Sequence, residues 1–376
     1  MEQELGELVA ANSETNRTKW ALEYKAQGKK VIGVFDPHMP EELIHAAGML
    51  PWRVTGTWKD SIPLASVYRL AISCGYPNHV LESLLAGELD FLDGAVFTAW
   101  DDDMRTLYDN FYFSGKIPLV HIMYLPHKAT KLTLNYWAGE VERLRKRLEE
   151  FGGKRIDHAS LSHSMAVFDE MRSLLMKLYQ LRRGAKPAIS GAEALGITIA
   201  ARVMPKEEFT RRLRGLLPYL AGREAPLKGV KPRLLVSSDF LDDPRYLGLI
   251  EDTGAVVAMD DLDTGSRYFW NGMAKPGGDL ILALARYYLT RPADPHTDKW
   301  AEEVGQVIQW ARDFRVDGVI QLALTNCFPR ETRLTYFSQE LTKAGIPNMT
   351  FKRDYQLTKE GQLRTRIEAF LETLEG

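Results

Sequence analysis

GAVFTAWDDDMRTLYD, residues 94–109, begins as a buried strand and ends as a helix. Gly94 to Phe97 is a short apolar run, Met104 to Tyr112 continues as a helix, and Asp101, Asp102 and Asp103 stand at the junction. Carboxylates gathered beside a core repel one another and lose solvation, so something must compensate. One compensation is local, because a carboxylate at a helix N-terminus accepts from amides that have no other partner. The other is a bound group, since open parallel sheets take ligands beyond the carboxyl ends of their strands.

The same strand-to-helix unit recurs on both sides. VIGVF at 31–35 and Ile117 to Leu125 read as buried strands, with helical patterns such as PEELIHAAGM at 40–49 between them. That alternation predicts a parallel sheet covered by helices. From about Leu132 to Gly222 helical spacing takes over, with one stripe at Val141, Leu144, Leu148 and Phe151 and another at Met171, Leu174, Leu175 and Leu178. The charges of VERLRKRLEE, 141–150, read as a solvated helix face. After Pro226 the first pattern resumes in RLLVSS (233–238), AVVAMD (255–260) and DGVIQLAL (317–324), while APLKGVKP (225–232) and KPGG (275–278) read as loops. The expected fold is α/β, with two parallel-sheet, Rossmann-like lobes over 1–131 and 225–376, a helical segment over 132–224, and a crevice between the lobes.

Composition excludes several functions. The chain has 376 residues, 45% of them hydrophobic, and its 48 basic and 50 acidic residues leave a net charge of −2. No basic field calls for nucleic acid or an anionic membrane. The N-terminus lacks the basic and apolar regions of a signal peptide and no apolar stretch is long enough for a bilayer, so a cytoplasmic location is expected. Two cysteines, Cys74 and Cys327, make neither a disulfide framework nor a compact zinc motif, and the eight histidines are scattered without ligand spacing. Phosphate-loop, GxGxxG, HExxH and GxSxG signatures are absent.

Five ordered stretches, FDPHMPEELIHAAGMLPWR (35–53), SCGYPNHVLESLLAGELDFLDGAVFTAWDDDMRTLYD (73–109), DDLDTGSRYF (260–269), DGVIQLALTNCFPR (317–330) and TRIEAFLETL (365–374), resemble the benzoyl-CoA reductase and 2-hydroxyacyl-CoA dehydratase family over nearly the whole chain. The resemblance implies two α/β lobes holding an iron–sulfur cluster, of the 4Fe-4S type, through three cysteines. It also implies single-electron transfer at low potential to an acyl-CoA thioester, whose carbonyl can accept an electron as a ketyl radical. Either ring reduction or loss of a hydroxyl group then follows, and the register around SRYFW favours benzoyl-CoA-type ring reduction. Implied partners are a related second subunit, in a heterodimer or alternatively a homodimer, and an ATP-hydrolysing iron–sulfur activator.

Carried over residue by residue, Cys74 matches the first family cysteine and Cys327 the last, and Asp101 stands where the middle one belongs. Asp102 and Arg105 match the aspartate and arginine of the same motif. Asp101 either completes a Cys74, Asp101, Cys327 set as an oxygen ligand, or marks a lost or altered cluster in a subunit kept as scaffold. Further candidates for the crevice are Glu41, Arg53 and Arg267. Each has a structural alternative: Glu41 and Glu42 suit a helix opened by Pro40, Arg53 an ordinary ion pair, and Gly265 and Arg267 a turn after a strand ended by Asp260 and Asp261. The cysteines could also be small buried hydrophobes.

Overall fold

A computed structural model describes residues 1–227, 232–273 and 278–375. Its eight strands form two four-stranded parallel sheets. β1 (Val31–Val34), β2 (Leu50–Arg53), β3 (Gly94–Thr98) and β4 (Leu119–Met123) pair in the order β2-β1-β3-β4. β5 (Arg233–Ser238), β6 (Val256–Leu262), β7 (Gly318–Leu324) and β8 (Asn348–Arg353) repeat that order as β6-β5-β7-β8. The central strands β1, β3, β5 and β7 are buried throughout, which is why they appear in the sequence as short runs dominated by apolar residues. Pro51 sits in β2, an edge strand, where a missing N–H costs no ladder bond.

This order places a topological switch point between β1 and β3 in one sheet and between β5 and β7 in the other, the positions at which such sheets bind ligands. Asp101 lies just beyond β3, Asp239 beyond β5 and Cys327 beyond β7.

Between the sheets in sequence run helices Lys131–Gly152, His158–Gln180, Gly191–Val203 and Lys206–Ala221. Thr130 and Ser190 start two of them with reciprocal capping boxes. In the first, Arg145 pairs with Glu142 and Glu149 on the solvated face, as its charge pattern predicts. The largest apolar cluster is continuous from Val31 and Ile32 through Phe168, Met171 and Leu175 to Val256 and Val319, so the helices join the sheets through a shared core. A smaller cluster, with Leu234, Val236, Ile320 and Leu322, packs the second sheet against Leu363 and Ile367 of helix Glu360–Glu375. Residues 228–231 of APLKGVKP and 275–277 of KPGG lie outside the described residues. Among the described residues no helix is long and apolar enough to cross a membrane.

Candidate functional site

Two turns from opposite sheets bring the cysteines together. Cys74 caps helix Gly75–Leu85. A Cβ on Gly75 would stand 3.1 Å from Tyr355 Cβ and 3.6 Å from Leu324 Cδ1, so the small residue lets this turn approach the second sheet closely. Cys327 follows β7, its N–H donating to the Leu324 carbonyl at 3.1 Å. The residue before it, Asn326, takes a left-handed φ of 62°, a conformation that asparagine tolerates better than most residues. Its side-chain amide donates to the Ala71 carbonyl at 3.1 Å, tying the Cys327 turn to the loop ahead of Cys74. Both thiols are buried. The adjacent Cys74 thiol, and then burial, push Cys327 well above the ordinary thiol pKa.

The three aspartates have three separate fates. Asp101 is the N-cap of helix Asp102–Ser114, extended at φ −148° and ψ 177°, and accepts the Met104 N–H at 2.8 Å. Asp102 is exposed and pairs with exposed Arg105, so neither faces the buried site. Asp103 accepts the Cys74 N–H at 3.1 Å and pairs with Arg69, which makes it the support of the first cysteine.

The group that joins these pieces is His296, absent from the candidates drawn from the sequence. Its ring stacks on Trp100 at a centroid distance of 3.9 Å and 16° between planes. Nε2 lies 3.4 Å from Asp101 Oδ2 and Nδ1 3.8 Å from Asp294 Oδ1. Neither nitrogen has an aligned hydrogen-bond partner, although the ring is fully buried. Burial opposes its charging, but Asp101 and Cys327 against the ring outweigh burial and hold its pKa well above the usual range. Asp101 and Cys327 therefore meet at one imidazole, and Cys74 adjoins Cys327. His296 comes from the connection before helix Trp300–Asp313, and no spacing to another histidine or cysteine marks it.

A buried charge network lies alongside. Asp239 accepts from Arg267 Nη2 at 2.6 Å and from Arg330 Nε at 2.7 Å. Arg330 reaches Glu303 at 3.3 Å, and Arg333 bridges Glu303 at 3.0 Å to the Asp294 carbonyl at 3.0 Å. Burial lifts the Glu303 pKa to about 6 against the pull of these arginines. Burial also opposes ionisation of Asp239, yet Arg330 and Arg267 keep its pKa well below the usual carboxylate range. Arg267 thus belongs to the network next to the site, together with Asp239 and Arg330.

The remaining candidates are engaged in buried contacts of their own. Arg53 is buried between Asp263 at 3.3 Å and Asp242 at 3.5 Å, over the ring of Tyr76. Glu41 accepts from Tyr268 at 3.0 Å and pairs with Lys206 at 3.3 Å and Arg202 at 3.6 Å. Glu42 binds Arg172 at 2.5 Å and Tyr288 at 2.7 Å. Both glutamates stand in the first turn of helix Glu41–Ala46, with Pro40 at the cap. Asp260 pairs with Arg182 at 2.8 Å, and a Cβ on Gly265 would clash with its Oδ1.

Two four-stranded parallel sheets of matching strand order, with a cysteine-bearing turn beside each, define an α/β protein whose candidate site lies between its sheets. Residues 37–374 match the family described as 2-hydroxyglutaryl-CoA dehydratase, D-component, and the chain belongs to that family. It is 25% identical to the (R)-phenyllactyl-CoA dehydratase beta subunit of Clostridium sporogenes over 96% of both chains. It is 26% identical to the beta subunit of (R)-2-hydroxyglutaryl-CoA dehydratase of Acidaminococcus fermentans over 97% of both. A benzoyl-CoA reductase subunit of Thauera aromatica is 25% identical over 92% of this chain and 91% of its own.

Proposed function

We propose that this chain is one subunit of an iron–sulfur enzyme that passes single electrons to an acyl-CoA thioester, with a related subunit as partner and a separate ATP-driven activator as electron source. The observation that carries the reading is that Cys74 and Cys327, from opposite sheets, adjoin each other, with Cys327 against a buried imidazole. Among the described residues no three His, Cys, Asp or Glu side chains converge as ligands of one metal ion. A cluster needs a different arrangement, because its ligands bind different iron atoms and ring a volume instead of a point. Two thiols and an imidazole without an aligned partner suit iron in donor chemistry.

When bound, such a cluster supplies low-potential single electrons. The chain's own residues hold the site: Asp103 fixes Cys74 through its N–H, Asn326 fixes the Cys327 turn, and Asp239 with Arg330 and Arg267 sets fixed charge beside the thiols. Burial keeps water from the thiols and, with neighbouring charge, tunes the potential. Partnership follows from the relatives, which are named as subunits. A separate activator is part of the proposal because this chemistry demands electrons of very low potential, while the chain carries no phosphate loop with which to hydrolyse ATP itself. Dehydratase and reductase relatives stand at nearly equal identity, so dehydration is carried beside ring reduction.

A second reading, a scaffold subunit with a lost cluster, is favoured by Asp101, whose carboxylate already caps a helix. Iron and sulfide analysis of the chain after anaerobic reconstitution separates the two, with Cys74→Ala and Cys327→Ala as controls. Bound iron and sulfide that both variants lose supports the cluster, and iron-free protein supports the scaffold. With partner and activator added, turnover of a 2-hydroxyacyl-CoA or of benzoyl-CoA distinguishes the reactions.

A further inference from the structure

We infer that His296, and not Asp101, supplies the third protein ligand at this site, completing a Cys74, Cys327 and His296 set. The inference rests on the cluster reading above and deepens it. The candidate donors beside the thiols are few. Asp101 uses Oδ1 to cap the helix at Met104, and its Oδ2 faces His296. Asp103 is occupied with the Cys74 N–H and Arg69, and Asp102 points to solvent. Asp239 is held by two arginines.

His296 differs from all of these. Both of its ring nitrogens are buried without an aligned hydrogen-bond partner, which is costly for a polar group in a protein interior. The ring is nevertheless firmly placed, by the stack on Trp100 and by a backbone bond from His296 N–H to Asp294 Oδ1 at 2.8 Å. Asp294 is itself fixed by His38 at 2.5 Å. A firmly placed imidazole whose nitrogens lack an aligned partner, beside the Cys327 thiol that itself adjoins Cys74, has the pre-organisation a metal ligand needs. Whichever nitrogen binds, the other faces a carboxylate, Asp101 on the Nε2 side and Asp294 on the Nδ1 side, the outer partner that metal-bound histidines usually have. Asp101 is then a positioning residue. Replacing an anionic thiolate by a neutral imidazole raises a cluster's potential, as it does in two-iron centres that carry histidines.

The test uses the full chain labelled with 15N-histidine, reconstituted anaerobically with iron and sulfide and reduced to its paramagnetic state. Pulsed electron paramagnetic resonance should show a directly coupled histidine nitrogen. The coupling should survive Asp101→Ala with full iron content and vanish in His296→Cys, which keeps iron and shifts the reduction potential downward. A paramagnetic cluster without strong histidine coupling overturns the inference and leaves the cluster reading standing. So does iron lost from Asp101→Ala but retained in a folded His296→Ala. If the parent chain, His296→Cys and Asp101→Cys all remain free of iron, the cluster reading falls, and this inference with it.

Discussion

Asp103 accepts the backbone N–H of Cys74 at 3.1 Å, so the first cysteine is held by the same acidic turn whose first member caps a helix. The carboxylate also pairs with Arg69, whose Nε donates to Asn78 in the helix that Cys74 begins. Asp103→Ala should therefore cost about 1–3 kcal/mol, the range for leaving a buried donor without its acceptor. Asp102→Ala, at an exposed ion pair, should stay within about 0.5 kcal/mol. Urea unfolding of both variants checks this, and equal destabilisation would show that Asp103 does not support Cys74.

Asp101 gives a different signature. Removing the cap in Asp101→Ala should cost about 0.5–2 kcal/mol, while Asp101→Asn, which can still accept from Met104, should cost much less. Thermal melts of the two variants measure the difference. If asparagine were as damaging as alanine, the pairing with His296 would matter more than the cap.

The sheets are legible in the sequence because β1, β3, β5 and β7 are buried on both faces and each carries a short apolar core, such as Leu234–Val236 in β5 and Val319–Ile320 in β7. β8 is not, since its half-buried Asn348, Met349 and Thr350 leave no clear alternation, and β2 is hidden by Pro51. The role of helix cap among the three aspartates is legible, but its assignment is not. A simple count of cap positions would give Asp103 that role, whereas the structure gives it to Asp101 and turns Asp103 toward Cys74. His296 could not be found from spacing: its neighbours Trp100, Asp101 and Cys327 come from other strands' ends and meet it only when the two sheets face each other.

Asp239 tests the charge network. It is buried between Arg267 and Arg330, and Asp239→Ala would leave two buried guanidinium groups without their shared carboxylate. Breaking a buried pair from one side typically costs about 3–5 kcal/mol, mostly through the stranded charge. The variant should unfold at markedly lower denaturant, and a loss below about 1 kcal/mol would mean that Asp261 and Glu303, the other acids near these arginines, take over.

Glu251 gives the chain a pH dependence away from the cysteines. It ends helix Arg245–Glu251 and accepts the N–H groups of Gly191 at 2.6 Å and Ala192 at 3.2 Å, at the start of the buried helix Gly191–Val203. Burial outweighs these donors and raises its pKa from 4.5 to about 7. Between those values the folded chain binds more protons than the unfolded one, so the contribution of Glu251 to stability is complete below pH 4.5 and is lost as the pH rises through about 7. At about 1.4 kcal/mol per pH unit the loss approaches roughly 3 kcal/mol. Glu251→Gln cannot ionise, so it should remove this component of the slope. It should also lower stability at pH 5, because one amide end cannot accept from both N–H groups. Urea midpoints for parent and variant at pH 5 and pH 8 decide the matter: the parent should lose more stability across the interval than the variant, and parallel losses would show that Glu251 stays ionised, held by the two N–H groups at the helix start.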